Sequence, residues 1–263
     1  MPVIDNERHR AVKGYVWSVV NVMTGDRFFF YEHGSRSTRV AMGLLKDFTG
    51  AIQSDGYIVY EHFEGMEGKK LLGCWAHARR KFFEAKAENE KLALEALFYI
   101  RQLYDVEADA LDSANNKPNY ERRKAMRQEK AYPEIKKFET WMEVNILKCP
   151  PKSLMEAAIS YTYKILKKLS LYVTDGRYKI DDNMVENSIR PLAIGRKNYL
   201  FCGDDDAAQR AAVVYSLLAT CKARGVNERA WLEDVLRRSP EYEQAGKDYA
   251  DLLPGNWSAL PAK

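Results

Sequence analysis

The order of hydrophobic periods in the first third of the chain constrains the fold most. Tyr15 to Val22 is rich in aromatic and β-branched residues and reads as a buried strand. Met23-Thr-Gly-Asp26 is turn chemistry, and Arg27 to Glu32 reads as a second strand, so the two form a hairpin. Gly34-Ser-Arg-Ser37 breaks the chain, and Ser37 can cap a helix that places Val40, Leu44, Leu45 and Phe48 on one side. Ala51 to Ser54 is a short apolar strand ending at Asp55, where Gly56 releases the chain, and Lys70 to Cys74 is another. Strand, strand, helix, strand, strand is an α/β order with helices packed on a sheet.

From Trp75 onward the pattern is helical. One helix begins near His77 and continues through Phe82-Phe83, and Leu92, Ala96, Tyr99, Ile100 and Leu103 mark a second. Asn115 to Pro118 reads as a loop, and Tyr120 to Lys130 as a charge-rich helix. Ser153 is placed to cap a long helix through Leu154, Ala158, Tyr161, Ile165 and Leu169. Asp206 to Arg224 predicts a helix with Val213, Leu217 and Leu218 inward, and Ala230 to Arg238 a shorter one. Leu252-Leu-Pro-Gly-Asn-Trp257 is an apolar clip expected to dock on the body.

The stretch from Asp181 to Asn198 carries the first sign of chemistry. Asp182 or Asn183 can cap a helix, with Val185 and Ile189 on its inner face and Glu186 and Arg190 four apart on a flank. Pro191 disfavours continuation, and Gly195 then allows a turn that presents Arg196, Lys197 and Asn198 together. Clustered cations near a carboxylate suit a metal that must meet a phosphodiester; the bland alternative is an exposed Glu–Arg pair. Asp55, just past a strand end, sits where a carboxylate can be held rigidly at a sheet's rim.

Taken together, Gln-Ser-Asp-Gly-Tyr (53–57), Cys-Trp-Ala-His-Ala-Arg-Arg-Lys-Phe (74–82), Asp-Asn-Met-Val-Glu-Asn-Ser-Ile-Arg-Pro (182–191), Gly-Arg-Lys-Asn-Tyr-Leu-Phe (195–201) and Leu-Leu-Pro-Gly-Asn-Trp (252–257) resemble the IS66-type DDE transposases, in the family's order. The resemblance implies an α/β fold with an RNase H-like core, a mixed sheet flanked by helices, interrupted by a mainly helical insertion. The core's first part would be residues 1–83, the insertion 84–175, the core's second part 176–224 and a C-terminal helical element 225–263. It implies an Asp-Asp-Glu triad in which Asp55 matches the second member and Glu186 the third, both as metal ligands. Two Mg2+ or Mn2+ ions are expected, since strand cleavage and joining use divalent ions about 3.5–4 Å apart and carboxylate oxygens suit hard cations.

The first Asp of that triad has no counterpart here. In the family it lies in an Asp-Glu pair on a strand ahead of the hairpin, whereas the carboxylates before Tyr15 are Asp5 and Glu7, outside any apparent apolar strand. The role is therefore not carried onto Asp5. The chain is expected to be a fragment lacking the first core strand, along with the family's N-terminal zinc-binding and helical regions. Pairing of Val3-Ile4 with the sheet edge left behind is one expected remedy.

Double-stranded DNA, at transposon ends and target, is the implied partner, with self-association on it. Arg190, Arg196, Lys197 and Arg80 are the candidate phosphate contacts. On the helix after Cys74, Arg80 shares a face with His77, while Arg79 and Lys81 point elsewhere. A net charge of +4 requires such local clusters rather than a uniformly basic surface. A catalytically dead DNA-binding or subunit-binding remnant is the alternative reading. A tyrosine recombinase fits worse, because the chain upstream of His77-x-x-Arg80 is short for that mechanism's first domain. Cysteines 74, 149, 202 and 221 show no C-x-x-C pair, so zinc is not expected and free thiols in a reducing cytoplasm are. Cys74 and Cys202 read as buried apolar thiols, and no apolar run nears the roughly 18 residues of a membrane span.

Overall fold

The structure is a computed structural model that describes residues 1–5, 7–111, 119–199 and 201–258. The expected loop at Asn115–Pro118 lies outside the described residues. The α/β class stands, on the helix-rich side, with ten α-helices among the described residues. Three two-stranded ladders stand where a single mixed sheet was expected. Contacts divide the chain into two units, one of Met1–Leu44 with Met184–Lys263, the other of Leu45–Asn183.

In the first unit, strand β1 (Pro2–Asp5) pairs antiparallel with β2 (Arg10–Lys13). This corrects the expectation that Asp5 stands outside a strand. Val3 is buried, and its register opposite Val12 and its bridge to Cys202 supply order that two apolar residues in sequence do not announce. Val3 and Ile4 are thereby paired within this unit rather than with another edge. The expected hairpin is present as β3 (Val16–Val20) with β4 (Arg27–Tyr31), from Val16 opposite Tyr31 to Val20 opposite Arg27. Asn21 closes it by donating to the Asp26 carbonyl at 2.9 Å. Helix α1 (Thr38–Leu44) follows, with Val40 and Ala41 buried but Phe48 exposed beyond its end.

Later in the same unit come α8 (Asn183–Gly195), α9 (Asp205–Arg224) and α10 (Glu228–Gln244). Helix α9 lies along β4, and its inward face is Ala208, Ala212, Ala219, Thr220 and Cys221. Val213 is 53% exposed, contrary to expectation. A helix that comes close enough to hydrogen-bond a strand edge leaves room at the contact only for methyls and hydroxyls. Gly225 ends α9 with φ 69°, the left-handed cap that glycine favours. The Leu252–Trp257 clip docks as expected: Trp231 Nε1 donates to the Leu252 carbonyl at 2.8 Å and Trp257 Nε1 to Asp234 at 2.8 Å.

In the second unit, β5 (Gly50–Gln53) pairs parallel with β6 (Lys69–Leu72). Helices α2 (Trp75–Ala85), α3 (Glu90–Asp109), α4 (Tyr120–Met126), α5 (Tyr132–Ile146), α6 (Leu154–Lys164) and α7 (Leu166–Ser170) follow. They share one core, in which Trp75, Phe82, Ile100, Phe138, Met142 and Ile159 are fully buried. Ser153 caps α6, accepting from the Glu156 amide at 3.1 Å. Between α4 and α5, Arg127–Ala131 adopts π-helical geometry, and Arg127 is wholly buried there. All five guanidinium N–H groups are used: Nε and one Nη2 proton on Glu107 (2.7 Å each), the others on the carbonyls of Tyr172, Asp175 and Tyr178 (2.7–3.0 Å). No helix of the described residues is long and apolar enough to cross a membrane.

Candidate metal and phosphate site

Asp55 stands two residues past β5, exposed at the end of the parallel pair. Its Oδ1 accepts from the Tyr57 amide at 3.0 Å, which orients the carboxylate. Gly56 makes this turn with φ +83°, and a Cβ there would sit 3.1 Å from the Tyr161 hydroxyl. Gln53 secures the strand end, its Nε2 donating to the carbonyls of Gly73 and Lys179 at 2.9 Å each. Two phenols register the nearby charge: burial, then Asp55, pushes Tyr60 up to about 12. Tyr161 is raised by burial, then by Cys74 and Asp55.

At the β6–α2 junction, three polar side chains from distant stretches converge. Cys74 Sγ donates to Asp182 Oδ1 at 2.9 Å, His77 Nδ1 lies 3.1 Å from Cys74 Sγ, and His77 Nδ1 is 3.6 Å from Asp182 Oδ1. Cys74 is buried as expected, but its neighbours are polar; burial and the Asp182 carboxylate push its thiol well above the usual range. Cys202, in contrast, is only half-buried. The same junction carries an open cleft lined by Ala76, Arg79, Arg80, Phe83, Tyr104 and Asn183. Arg79 and Arg80 are both exposed and both line it, so Arg79 does not point away from Arg80's cleft. Side chains this long reach one concavity from adjacent helix positions.

The segment leading into α8 is fixed by Asp181. Its carboxylate accepts from the Asn183 amide (3.2 Å), Asn183 Nδ2 (2.8 Å) and the Tyr104 hydroxyl (2.8 Å), while Asp182 turns toward Cys74. Glu186 lies in the first turn of α8 and is exposed, where a negative side chain suits the helix dipole. The inner face of α8 is Ser188 and Leu192, not Val185 and Ile189. Ser188 bonds the Ser18 hydroxyl of β3 at 3.0 Å, and Leu192 joins the core of Phe29, Tyr31 and Ala212.

The helix also runs through Pro191, against expectation. The carbonyl that proline leaves without a partner belongs to Asn187, which is exposed to water, and Leu192 anchors the continuation. After Gly195 the chain tightens: the Lys197 amide donates to Ile194 O (2.9 Å) and that of Asn198 to Gly195 O (2.8 Å). Arg196, Lys197 and Asn198 are exposed together on that turn, and Arg190 is exposed on α8. Glu186, Arg190, Arg196 and Lys197 thus belong to one unit, and Asp55 and Arg80 to the other. Asp5 is engaged locally, accepting from the amides of Glu7 (3.1 Å) and Arg8 (3.0 Å).

The sequence pattern of the Transposase IS66 family matches residues 1–210, and that of the IS66 C-terminal element matches residues 216–254. The chain belongs to the IS66 transposase family. Among its relatives are the uncharacterized proteins y4qI and y4jD of Sinorhizobium fredii (strain NBRC 101917 / NGR234). They are 34% and 32% identical to it, each over 86% of this chain. The chain spans less than half the length of these curated relatives, 42% of y4qI and 44% of y4jD. No solved structure matches it. Within this IS66 chain, sequence reasoning missed Cys74, His77 and Asp182 as a group. The Cys-x-x-His spacing was its only local sign, since Asp182 arrives from 108 residues away.

Proposed function

We propose that this chain is the catalytic part of a DDE transposase, acting in the cytoplasm on double-stranded DNA at insertion-sequence ends, with Asp55 and Glu186 as metal ligands. The observation that carries the reading is the pair of exposed carboxylates at element ends, one past β5 and one in the first turn of α8, each inside the stretch that the family pattern matches. The donor set fits hard cations: both are carboxylates open to solvent, so bound ions could keep waters and take phosphate oxygens as further ligands. Two Mg2+ or Mn2+ ions, when bound, would activate the attacking hydroxyl and stabilise the leaving oxygen. The protein's part is orientation. The Tyr57 amide and Gln53 fix the Asp55 turn, Asp181 fixes the lead-in to α8, and Arg190, Arg196, Lys197 and Arg80 supply cations for the DNA backbone. The order hairpin, helix, parallel pair agrees with the RNase H-like core that the family resemblance implies. Handling two DNA ends would call for self-association.

The local engagement of Asp5 favours one second reading: a DNA-binding or subunit-binding remnant without chemistry. End cleavage and strand transfer in Mg2+ or Mn2+ separate the two. With the triad's first Asp supplied by an added upstream segment, the DDE reading expects products that vanish in Asp55→Asn and in Glu186→Gln with DNA affinity retained. Binding with no product in either metal supports the remnant.

A further inference from the structure

We propose that Cys74, His77 and Asp182 form a site for one zinc-type cation, distinct from the carboxylates assigned above and independent of their role. The three ligand atoms lie within 4.8 Å of one another and come from three positions: the end of the β6–α2 link, the first turn of α2, and the segment before α8. Each position is held by contacts of its own neighbours. The Trp75 amide donates to Ile180 O (3.2 Å), Trp75 Nε1 donates to Leu169 O (3.0 Å), and Gln53 grips Lys179 O (2.9 Å). The group is therefore preorganised on rigid elements, as a metal site requires.

The geometry argues against a nucleophilic triad. In that arrangement the thiol and the carboxylate address different ring nitrogens of the histidine. Here both Sγ and Oδ1 lie on the Nδ1 side, at 3.1 and 3.6 Å. Convergence on one point is what a cation needs. Tetrahedral zinc with bonds of about 2.0–2.3 Å separates its ligand atoms by roughly 3.3–3.6 Å. The separations of 2.9, 3.1 and 3.6 Å are those of a slightly contracted version, in which the thiol proton occupies the cation's place. Binding exchanges the two: the Sγ–H bond breaks, an Sγ–metal bond forms, and one proton leaves to solvent.

Ligand softness selects the ion. A thiolate with an imidazole favours zinc over magnesium, whereas all-carboxylate sites favour magnesium. Access is present, because the His77 side chain is 18% exposed and its neighbour Ala76 lines the open cleft. Three protein ligands leave a fourth position for water. A bound ion would tie the start of α2 to Asp182, four residues before Glu186, and so stiffen the approach to α8.

The test uses the purified 263-residue chain, stripped with a chelator and titrated with Zn2+ or Co2+ alone. The expected result is one tight equivalent, with Co2+ giving a thiolate-to-metal charge-transfer band and the intense visible bands of a four-coordinate ion. Cys74→Ser should abolish the charge-transfer band. His77→Ala and Asp182→Asn should weaken binding by more than about 100-fold, beyond the roughly 10–100-fold of an outer-shell change. Co2+ bound without a thiolate band, no binding at all, or full stoichiometry in Cys74→Ser would overturn the proposal. If circular dichroism shows a variant unfolded, the intact chain decides through alkylation mapped by mass spectrometry. Zn2+ should slow modification of Cys74 at least about tenfold, because a metal-bound sulfur is not a free thiolate; an unchanged rate overturns it.

Discussion

Ser216 of α9 accepts the Phe29 amide of β4 at 2.7 Å, so a helix side chain takes the place of a neighbouring strand. Thr220, one turn on, accepts the Arg27 amide at 3.0 Å. The outer edge of the hairpin is thereby covered, which removes a template for intermolecular pairing. Ser216→Ala strips the partner from a buried amide and should destabilise the fold by about 1–3 kcal/mol. Thr220→Val, which keeps the shape, should act similarly and raise aggregation. Urea denaturation read by circular dichroism checks both; unchanged midpoints would mean that water replaces the hydroxyls.

Arg127 is the reverse case, a buried charge whose every proton has an acceptor. Arg127→Ala leaves Glu107 and three carbonyls without their donor and should lower stability by about 3–5 kcal/mol. Arg127→Lys should recover only part of this, since an ammonium has three donors and no planar fork. Chemical denaturation of the three proteins measures the order.

A pH-dependent contribution resides in Asp205, which accepts from the Tyr31 hydroxyl and pairs with His33 Nδ1 at 2.9 Å. The bond to Asp205 raises His33 from its ordinary 6.5, and the bonds from Tyr31 and then His33 lower Asp205 from 3.8. A raised histidine stabilises fully below 6.5 and loses this as pH rises through its folded value. The lowered carboxylate stabilises above 3.8 and loses this as pH falls through its folded value. The pair is therefore strongest between those limits. His33→Asn suits the local φ of 43°. Its melting temperature should fall below the parent's near pH 5–6 and match it above about pH 8.

Local chemistry in the sequence was legible where one residue decides the outcome. The Met23–Asp26 turn made the hairpin, Ser153 the cap, and Leu252–Trp257 the docked clip. Asp55 past a strand end was legible for the same reason. What escaped depends on partners far along the chain. The helix passes through Pro191 because Leu192 is held by residues of β4 and α9, and Val213 faces out because α9 must come near a strand edge. Cys74 looked apolar because its polar neighbour Asp182 is distant in sequence.

DNA affinity should report on the turn after α8. Replacing Arg196 and Lys197 together by alanine removes two candidate phosphate contacts. It should weaken binding similarly across sequences and lower the salt slope by roughly 2, at about 0.9 per phosphate. Fluorescence anisotropy over a salt series reads this. A changed sequence preference at unchanged affinity would contradict the assignment, because phosphate contacts position DNA without reading it.

The central claim is that Asp55 and Glu186 are both metal ligands. Iron(II) taken up in place of magnesium, with ascorbate and peroxide, cuts the backbone beside the bound ion. A DNA duplex present during the reaction can supply phosphate ligands. The account predicts cuts flanking Asp55 and cuts flanking Glu186, the first set lost in Asp55→Asn and the second in Glu186→Gln. Cuts beside only one of the two residues, or a set surviving replacement of its own residue, would contradict it.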